Sequence, residues 1–561
     1  MAFLLLLVPA LYGNLYITGK IPYGRGIMAH LGLMGLLFLL GTTHLRHHRI
    51  RGSIIALIIS ALYFLHILYF GVSEFSGRGF DEGFFLSLQA EAVDMAWNNY
   101  FHYFLYFGVG AIAVWVSLLA SSPPEQPLTR TLRLCILLLS ALFLAKGYKT
   151  LPAWQFANAV HDWIRPAPTD IPSSALEHWS KSRLLNLDLP ARNELQTEIP
   201  KNPKNLILLY VESGGVMLAP SEKHPGINEN FMKLIRDHGF VPHIHASSFI
   251  TIEGLVNTQC GTLLPFNGGD NKMTFGNLVY NMPCLGDVLH NAGYTQIFHE
   301  GTSRNFSGTG TFLGIHGYDE IVGKEDWGRK GVPQKKGDYG IGDPELFDQS
   351  LKKIRELEAS TQPYNLTLFT IGTHVPGFSY PECEKYAEDG DQYLNAVYCA
   401  DQLVGKWVER LKDEGVFKNT ILVITGDHQV FSNTQMKALF GNRVHDTRLP
   451  LIIIGDNLPK PLQMDGAGYD IAPTIIDLLG IKTNAKFALG RSLVREQRTL
   501  QYFLSRYGDV LNEKTYSHPD TRCGTSTASK AGGSESERPL TTCERAQLDE
   551  VLRYQAELYS R

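Results

Sequence analysis

An N-terminal bundle of five transmembrane helices followed by an α/β domain is the fold this sequence predicts. Three observations predict it. Five apolar stretches precede residue 150, patterns of short buried strands alternate with helical patterns after residue 205, and a proline-punctuated segment separates the two regions. Across 561 residues, 51 Lys and Arg offset 55 Asp and Glu and leave a net charge of -4. The mean hydropathy of -0.08 averages two unlike halves and describes neither. The balanced charge argues against a nucleic-acid partner, which would select a clearly basic domain.

The apolar stretches are Met1–Tyr16, Ile27–Thr43, Ile54–Val72, Tyr100–Ala120 and Leu132–Ala145. Most approach the ~20 residues a helix needs to cross ~30 Å of hydrocarbon. A cleavable signal peptide needs a basic leader, which Met1-Ala2-Phe3 lacks, so the first stretch reads as a retained helix. Arg46, Arg49 and Arg51 lie between the second and third stretches, and Arg130 and Arg133 precede the fifth. Glu74, Asp81, Glu82, Glu91 and Asp94 lie between the third and fourth. Basic loops stay in the cytoplasm, so everything after the fifth span falls outside. Lys20, Arg25, Lys146 and Lys149 run against that rule. His66 and His102 lie in or beside spans, where a neutral histidine bonded between helices or at the interface is expected. Phe84–Trp97 reads as an amphipathic helix lying on the outer leaflet.

Residues 1–150 are thus expected to be the transmembrane domain and 151–204 a linker with a short helix at Ala175–Leu185. From Asn205 to about residue 500, apolar runs at Leu206–Val211, Gln296–His299, Leu366–Ile371, Ile421–Thr425 and Leu451–Ile454 read as strands. Helical stretches separate them: Asn230–His238, Cys284–Ala292, Pro344–Leu357 and Tyr393–Glu414. Continuous apolar strands between helices predict a mostly parallel sheet with helices on both faces. Residues 501–561 form an extension, with a Ser/Thr/Gly-rich loop at Thr521–Thr542 and a helix at Glu544–Tyr559. Of seven cysteines, six follow the membrane region, an even set that suggests up to three disulfides in an oxidising compartment. Cys523–Cys543 and Cys383–Cys399 are candidate pairs, and the lack of C-x₂-C spacing argues against a zinc cluster.

Ligands of open α/β sheets bind at the carboxyl ends of the strands. Here the strands run into Glu212-Ser213, into Thr373-His374-Val375-Pro376, into Gly426-Asp427-His428, and into Glu300 and Arg304. A lone strand-end carboxylate is commonly a helix cap. Glu212, Asp427 and His428 together offer two carboxylates and an imidazole to a divalent cation.

The series Val211-Glu212-Ser213, a Thr-rich loop, Thr373-His374-Val375-Pro376, Gly426-Asp427-His428 and Asp470-Ile471-Ala472-Pro473-Thr474 through Gly480 resembles the alkaline phosphatase/sulfatase superfamily. With membrane spans in front, the chain is most similar to the branch of lipoteichoic acid synthases and osmoregulated-glucan phosphoglycerol transferases. The resemblance runs from about Asn205 to Leu493 and implies a sulfatase-like α/β domain. It implies a metal held by Glu212, Thr251, Asp427 and His428, with Mn²⁺ ahead of Zn²⁺ or Mg²⁺. It makes Thr251 the nucleophile, ahead of Ser247, Ser248, Thr258 and Thr262. A metal lowers the pKa of such a hydroxyl, and a helix amino terminus aims backbone N–H groups at a phosphate. His374 would bond the transferred group or protonate the leaving alkoxide, and Arg304 would bind the phosphate.

Some features depart from neighbouring families. No C/S-x-P-x-R motif surrounds Thr251, which disfavours sulfate-ester hydrolysis. Cys260 stands nine residues past Thr251 with no matching upstream Cys, which disfavours the phosphoethanolamine transferases. Gln429 replaces the Gly common after the Asp-His pair. The resemblance therefore implies a phosphoglycerol transferase of a bacterial inner membrane with its catalytic domain in the periplasm. Glycerol phosphate would pass from phosphatidylglycerol through a phospho-threonine to a glycan or glycerol hydroxyl. The alternatives are phosphoethanolamine transfer to lipid A or a glycan, and an inactive lipid-binding regulator.

Overall fold

A computed structural model of the chain describes residues 25–559 except 45–48, 77–78, 81–83, 86–95, 98–100, 121–127, 165–169, 182–184, 220–221, 265–279, 335–339, 388–389, 442–443, 445–447, 464, 496–501, 506–508, 512–514 and 518–541. The chain forms two compact units. One comprises Met1–Ile164 with Phe431–Gly441, the other Arg165–Val430 with Asn442–Arg561.

The first unit contains α1 (Arg25–His44), α2 (Arg49–Ser76), α3 (Phe101–Ala120), α4 (Arg130–Gly147) and α5 (Pro152–Ile164). α1 packs along α4 and α2 along α3, at places where small residues let backbones approach. A Cβ at Gly35 would sit 2.1 Å from Ser140 Oγ, and one at Gly110 would sit 2.1 Å from the Tyr63 ring. His66 Nε2 lies 3.1 Å from His30 Nε2 and its Nδ1 meets the Leu62 carbonyl at 2.7 Å, so the expected interhelical bond is made. Phe431 packs its ring on Phe75, and Asn433 Nδ2 donates to the Phe75 carbonyl. Leu57, Ile112 and Leu138 are each more than three-fifths exposed, as lipid-facing side chains are.

Among the described residues two segments, Leu57–Ser76 and Arg130–Thr150, are long and apolar enough to cross a bilayer. The apolar parts of α1 and α3 reduce to the shorter runs Ile27–Leu39 and Phe101–Ala113. The Met1–Tyr16 stretch and most of Phe84–Trp97 lie outside the described residues.

The second unit is built on a six-stranded sheet. Its strands are β1 (Asn205–Val211), β2 (Thr295–Glu300), β3 (Glu320–Val322), β4 (Tyr364–Phe369), β5 (Thr420–Gly426) and β6 (Leu451–Ile454), in the order 3-2-4-1-5-6. The first five are parallel; β6 runs antiparallel to β5, so the sheet is mixed. β1, β4 and β5 are buried along their whole length, which explains their largely apolar sequences, while Asn365 and Thr367 of β4 are buried with hydrogen bonds to neighbours. Helices α6 (Glu229–His238), α7 (Thr251–Cys260), α8 (Leu285–Asn291), α9 (Asp343–Glu358), α10 (Gln392–Asp413) and α11 (Ile471–Leu478) surround it. α7 meets the sheet through the Tyr210 hydroxyl, 2.7 Å from Thr258 Oγ1. α9 covers β2 and β4, with Leu346 packed beside Trp327. The Trp327 ring in turn meets His299 of β2.

Residues 173–181 and 185–189 make contacts within this unit. Trp179 Nε1 donates to Gln547 Oε1, and Gln555 Nε2 donates to the Asn186 carbonyl from the terminal helix Thr542–Leu558. Disulfides join Cys383 to Cys399, as expected, and Cys260 to Cys284. The Cys523–Cys543 pairing lies outside what is described.

The register sets the site. Val211 pairs with Gly426 and Tyr210 with Phe369, so the residues after β1, β5 and β4 emerge side by side at one edge. Two strands away, Glu300 ends β2 with its side chain buried. Its Oε2 accepts from Thr302 Oγ1, whereas Oε1 has no hydrogen-bond partner. Burial pushes this carboxyl up to about 8 from an ordinary 4.5. An acid raised on folding contributes stability that is full below its unfolded pKa and lost as pH rises through the folded value. Urea midpoints should therefore fall between roughly pH 4.5 and pH 8. In Glu300→Gln that fall should flatten; an unchanged slope would refute the assignment.

Candidate metal and nucleophile site

Glu212 follows β1 and Asp427-His428 follow β5, so the pairing of those neighbouring strands brings all three together. Their ligand atoms lie within 4.8 Å of one another, and all three residues are buried. His428 Nε2 is 3.4 Å from Glu212 Oε1 and 3.2 Å from Asp427 Oδ2. His428 Nδ1 meets the Gln429 carbonyl at 2.7 Å, an arrangement that fixes a ligating ring through its second nitrogen. Asp427 Oδ1 accepts from the Ser213 backbone N–H at 2.9 Å, while Oδ2 is buried and accepts no hydrogen bond.

The electrostatics suit a cation. Burial and then the Glu212 charge push the Asp427 carboxyl up to about 7. Burial opposes charge on His428, but the Asp427 and Glu212 carboxylates outweigh it and lift the ring to about 9. Burial would raise Glu212, yet His428 beside it holds it below the ordinary carboxylate range. Two carboxylates, one imidazole and an orphaned carboxylate oxygen in a buried corner fit a divalent metal.

Thr251 opens α7, half-buried, with Ile250 in extended backbone before it. Its Oγ1 lies 3.5 Å from Glu212 Oε2, so the predicted nucleophile stands beside the ligand cluster. Three contacts hold the helix there. Ser248 Oγ donates to the Asp427 carbonyl, and the Phe249 N–H donates to Glu253 Oε2. Gly254 packs so closely that a Cβ would lie 2.2 Å from the Asp427 carbonyl oxygen. Gly214 and Gly426 touch in the same way, with a Cβ on Gly214 falling 2.4 Å from the Gly426 Cα.

His374 reaches the site from the loop after β4. Asp343 accepts the Ile371 and Gly372 N–H groups at 2.8 and 2.9 Å, and Thr373 Oγ1 donates to the Glu212 carbonyl. His374 Nδ1 meets the Val375 carbonyl at 2.8 Å, and after His428 the His374 imidazole helps hold the Glu212 carboxyl below the ordinary range. Arg304 is engaged elsewhere: its Nε lies 3.6 Å from Asp326 Oδ2 and its side chain is 41% exposed.

Ser213, Gly254 and Asp343 were not singled out from sequence. Ser213 takes a left-handed backbone (φ 50°) that turns the chain so its N–H meets Asp427 and its hydroxyl meets Glu212. For Gly254 a signal was available, since glycine inside a helical pattern points to close backbone approach. Overpacking typically costs about 1–3 kcal/mol. Gly254→Ala should lower the urea midpoint accordingly and weaken divalent-cation binding in calorimetry; native affinity in the folded variant would contradict this packing.

Comparison with known proteins bears on this site. Residues 204–481 match the family model described as Sulfatase. The chain is 31% identical over 331 residues to phosphoglycerol transferase I of Shigella flexneri, covering 56% of this chain and 42% of that protein. It is 30% identical over 350 residues to the Citrobacter koseri protein of the same name, covering 60% and 45%. The chain therefore spans less than half the length of these curated relatives. A solved structure of a protein in the alkaline phosphatase superfamily from Vibrio parahaemolyticus covers 70% of this chain and 96% of its own, with 20% identity and a TM-score of 0.50. That likeness is one of fold.

Proposed function

Residues 204–481 match the Sulfatase family model, and from that match we propose that the chain is a membrane-bound phosphoglycerol transferase of the alkaline phosphatase superfamily. The observation that carries the reading is Thr251 Oγ1 standing 3.5 Å from Glu212, whose carboxylate clusters with Asp427 and His428. The identity to phosphoglycerol transferase I supports the headgroup. Glu212, Thr251, Asp427 and His428 would hold the cation, for which Mn²⁺ is proposed. When bound there, it supplies Lewis-acid charge and lowers the pKa of a nearby hydroxyl.

The chain's own residues then divide the work. Thr251 Oγ attacks the phosphorus of phosphatidylglycerol from a helix amino terminus, where backbone N–H groups face the phosphate. Glu212 Oε2 faces the hydroxyl, takes its proton, and returns it to the Thr251 oxygen when the phospho-threonine is cleaved. The bond to diacylglycerol breaks, and His374 protonates the departing alkoxide. A glycan or glycerol hydroxyl, its proton passing to His374, then attacks the phospho-threonine and regenerates Thr251. Arg304 would join the phosphate only by leaving Asp326.

A lipid donor suits the apolar helices of the first unit, for which five spans are proposed. The two extracytoplasmic disulfides support an oxidising periplasm and an inner-membrane location.

Incubation with Mn²⁺ and headgroup-labelled phosphatidylglycerol should release diacylglycerol and leave label on the Thr251 peptide. Thr251→Ala should abolish the adduct. His374→Ala should slow turnover by about 10²–10⁴-fold, the usual worth of a positioned acid. Label from phosphatidylethanolamine instead would favour ethanolamine transfer, and no adduct from either lipid would refute the transferase reading.

A further inference from the structure

A second cluster of donor atoms lies apart from the Glu212 site, at the far end of the nucleophile helix. Cys260 ends α7, Cys284 precedes α8, and His316 follows the helix Thr309–Ile315. All three are buried, and their donor atoms lie within 4.8 Å of one another. Cys284 Sγ is 3.6 Å from His316 Nε2. His316 Nδ1 meets Asp287 Oδ2 at 2.7 Å, and Arg192 Nε stands 4.0 Å from the same carboxylate. With its Nδ1 proton donated to Asp287, the ring presents the Nε2 lone pair to the sulfurs. A carboxylate orienting a histidine through its second nitrogen is the arrangement that supports metal ligation.

We propose that Cys260, Cys284 and His316 form a thiophilic metal site for a soft monovalent cation of the Cu⁺ type whenever their disulfide is open. Opening takes two electrons and two protons from a dithiol, which becomes a disulfide as the cysteines become thiols. Metal binding then displaces both thiol protons and places the cation between two thiolates and a neutral imidazole. Bonds of about 2.3 Å to sulfur and about 2.0 Å to nitrogen, the lengths zinc makes to these donors, would at trigonal angles separate S and N by about 3.7 Å. The pair already stands 3.6 Å apart. Three donors in a buried pocket complete a trigonal Cu⁺ shell without water, and thiolates select soft ions. The other disulfide differs. Among the described residues, no His, Asp or Glu joins Cys383 and Cys399 in such a cluster.

The cluster joins the nucleophile helix to α8, so the disulfide and the metal are alternative cross-links of the same two elements. The Glu212 site contains no sulfur, which keeps the two sites separable by spectroscopy.

The test uses the full chain in detergent, reduced anaerobically with a dithiol and titrated with Cu⁺ against a competing chelator. Near-ultraviolet thiolate-to-copper absorption and X-ray absorption are the readouts. The reduced protein should show a shell of two sulfurs and one nitrogen, absent from the oxidised protein. Asp287→Asn should weaken binding by about 10–100-fold, and Cys383→Ser with Cys399→Ser should leave the signal intact. His316→Ala should lose the nitrogen and the tight site. If that variant fails to fold, His316→Cys should bind with a third sulfur in its place. No thiolate band in the reduced protein, or equal Cu⁺ affinity in folded His316→Ala, would overturn the proposal.

Discussion

Asp427 is the point on which the second unit's functional geometry depends. One carboxylate oxygen accepts the Ser213 N–H, the other faces His428, and the backbone carbonyl accepts the Ser248 hydroxyl. The same carbonyl lies where a side chain on Gly254 would be. A single residue thus joins the turn after β1, the end of β5 and the start of α7. Buried carboxylates are costly without such partners, so the arrangement persists only when all of the elements are in register. The parallel pairing of Val211 with Gly426 supplies that register.

Helix α7 is held along its length by different means. Its first turn abuts Asp427, its middle bonds the Tyr210 hydroxyl through Thr258, and its last residue is cross-linked to Cys284. Gln259 adds a bond from its Nε2 to the same tyrosine at 3.1 Å. Each neutral hydrogen bond contributes only about 1 kcal/mol net, but together they remove the freedom of a helix that must present one hydroxyl accurately. The helical unit meets a different constraint, with glycines at the contacts and apolar side chains outward.

The strands and most helices were legible because burial writes continuous apolar runs and amphipathic periods into the chain. Leu451–Ile454 was found to the residue, but its antiparallel direction was not, since local pattern carries no orientation. Glu320–Val322 is short and half-exposed at an edge, and leaves no run to read. Glu212, Asp427 and His428 stood out as polar residues ending apolar strands. Ser213 and Asp343 did not, because their roles are backbone hydrogen bonds that any turn or helix start could use. The Cys260–Cys284 pair was hidden for a further reason. Spacing argued against a C-x₂-C metal motif, whereas the fold brings together two cysteines and a histidine from three segments.

Thr251 and the Glu212, Asp427 and His428 cluster are proposed to form one metal-centred unit. Anomalous diffraction from crystals of the protein soaked in Mn²⁺ tests it most directly. One strong peak is expected within coordination distance of Glu212, Asp427, His428 and the Thr251 hydroxyl. A peak held by other residues, or one at the cluster that Thr251 does not reach, would contradict it.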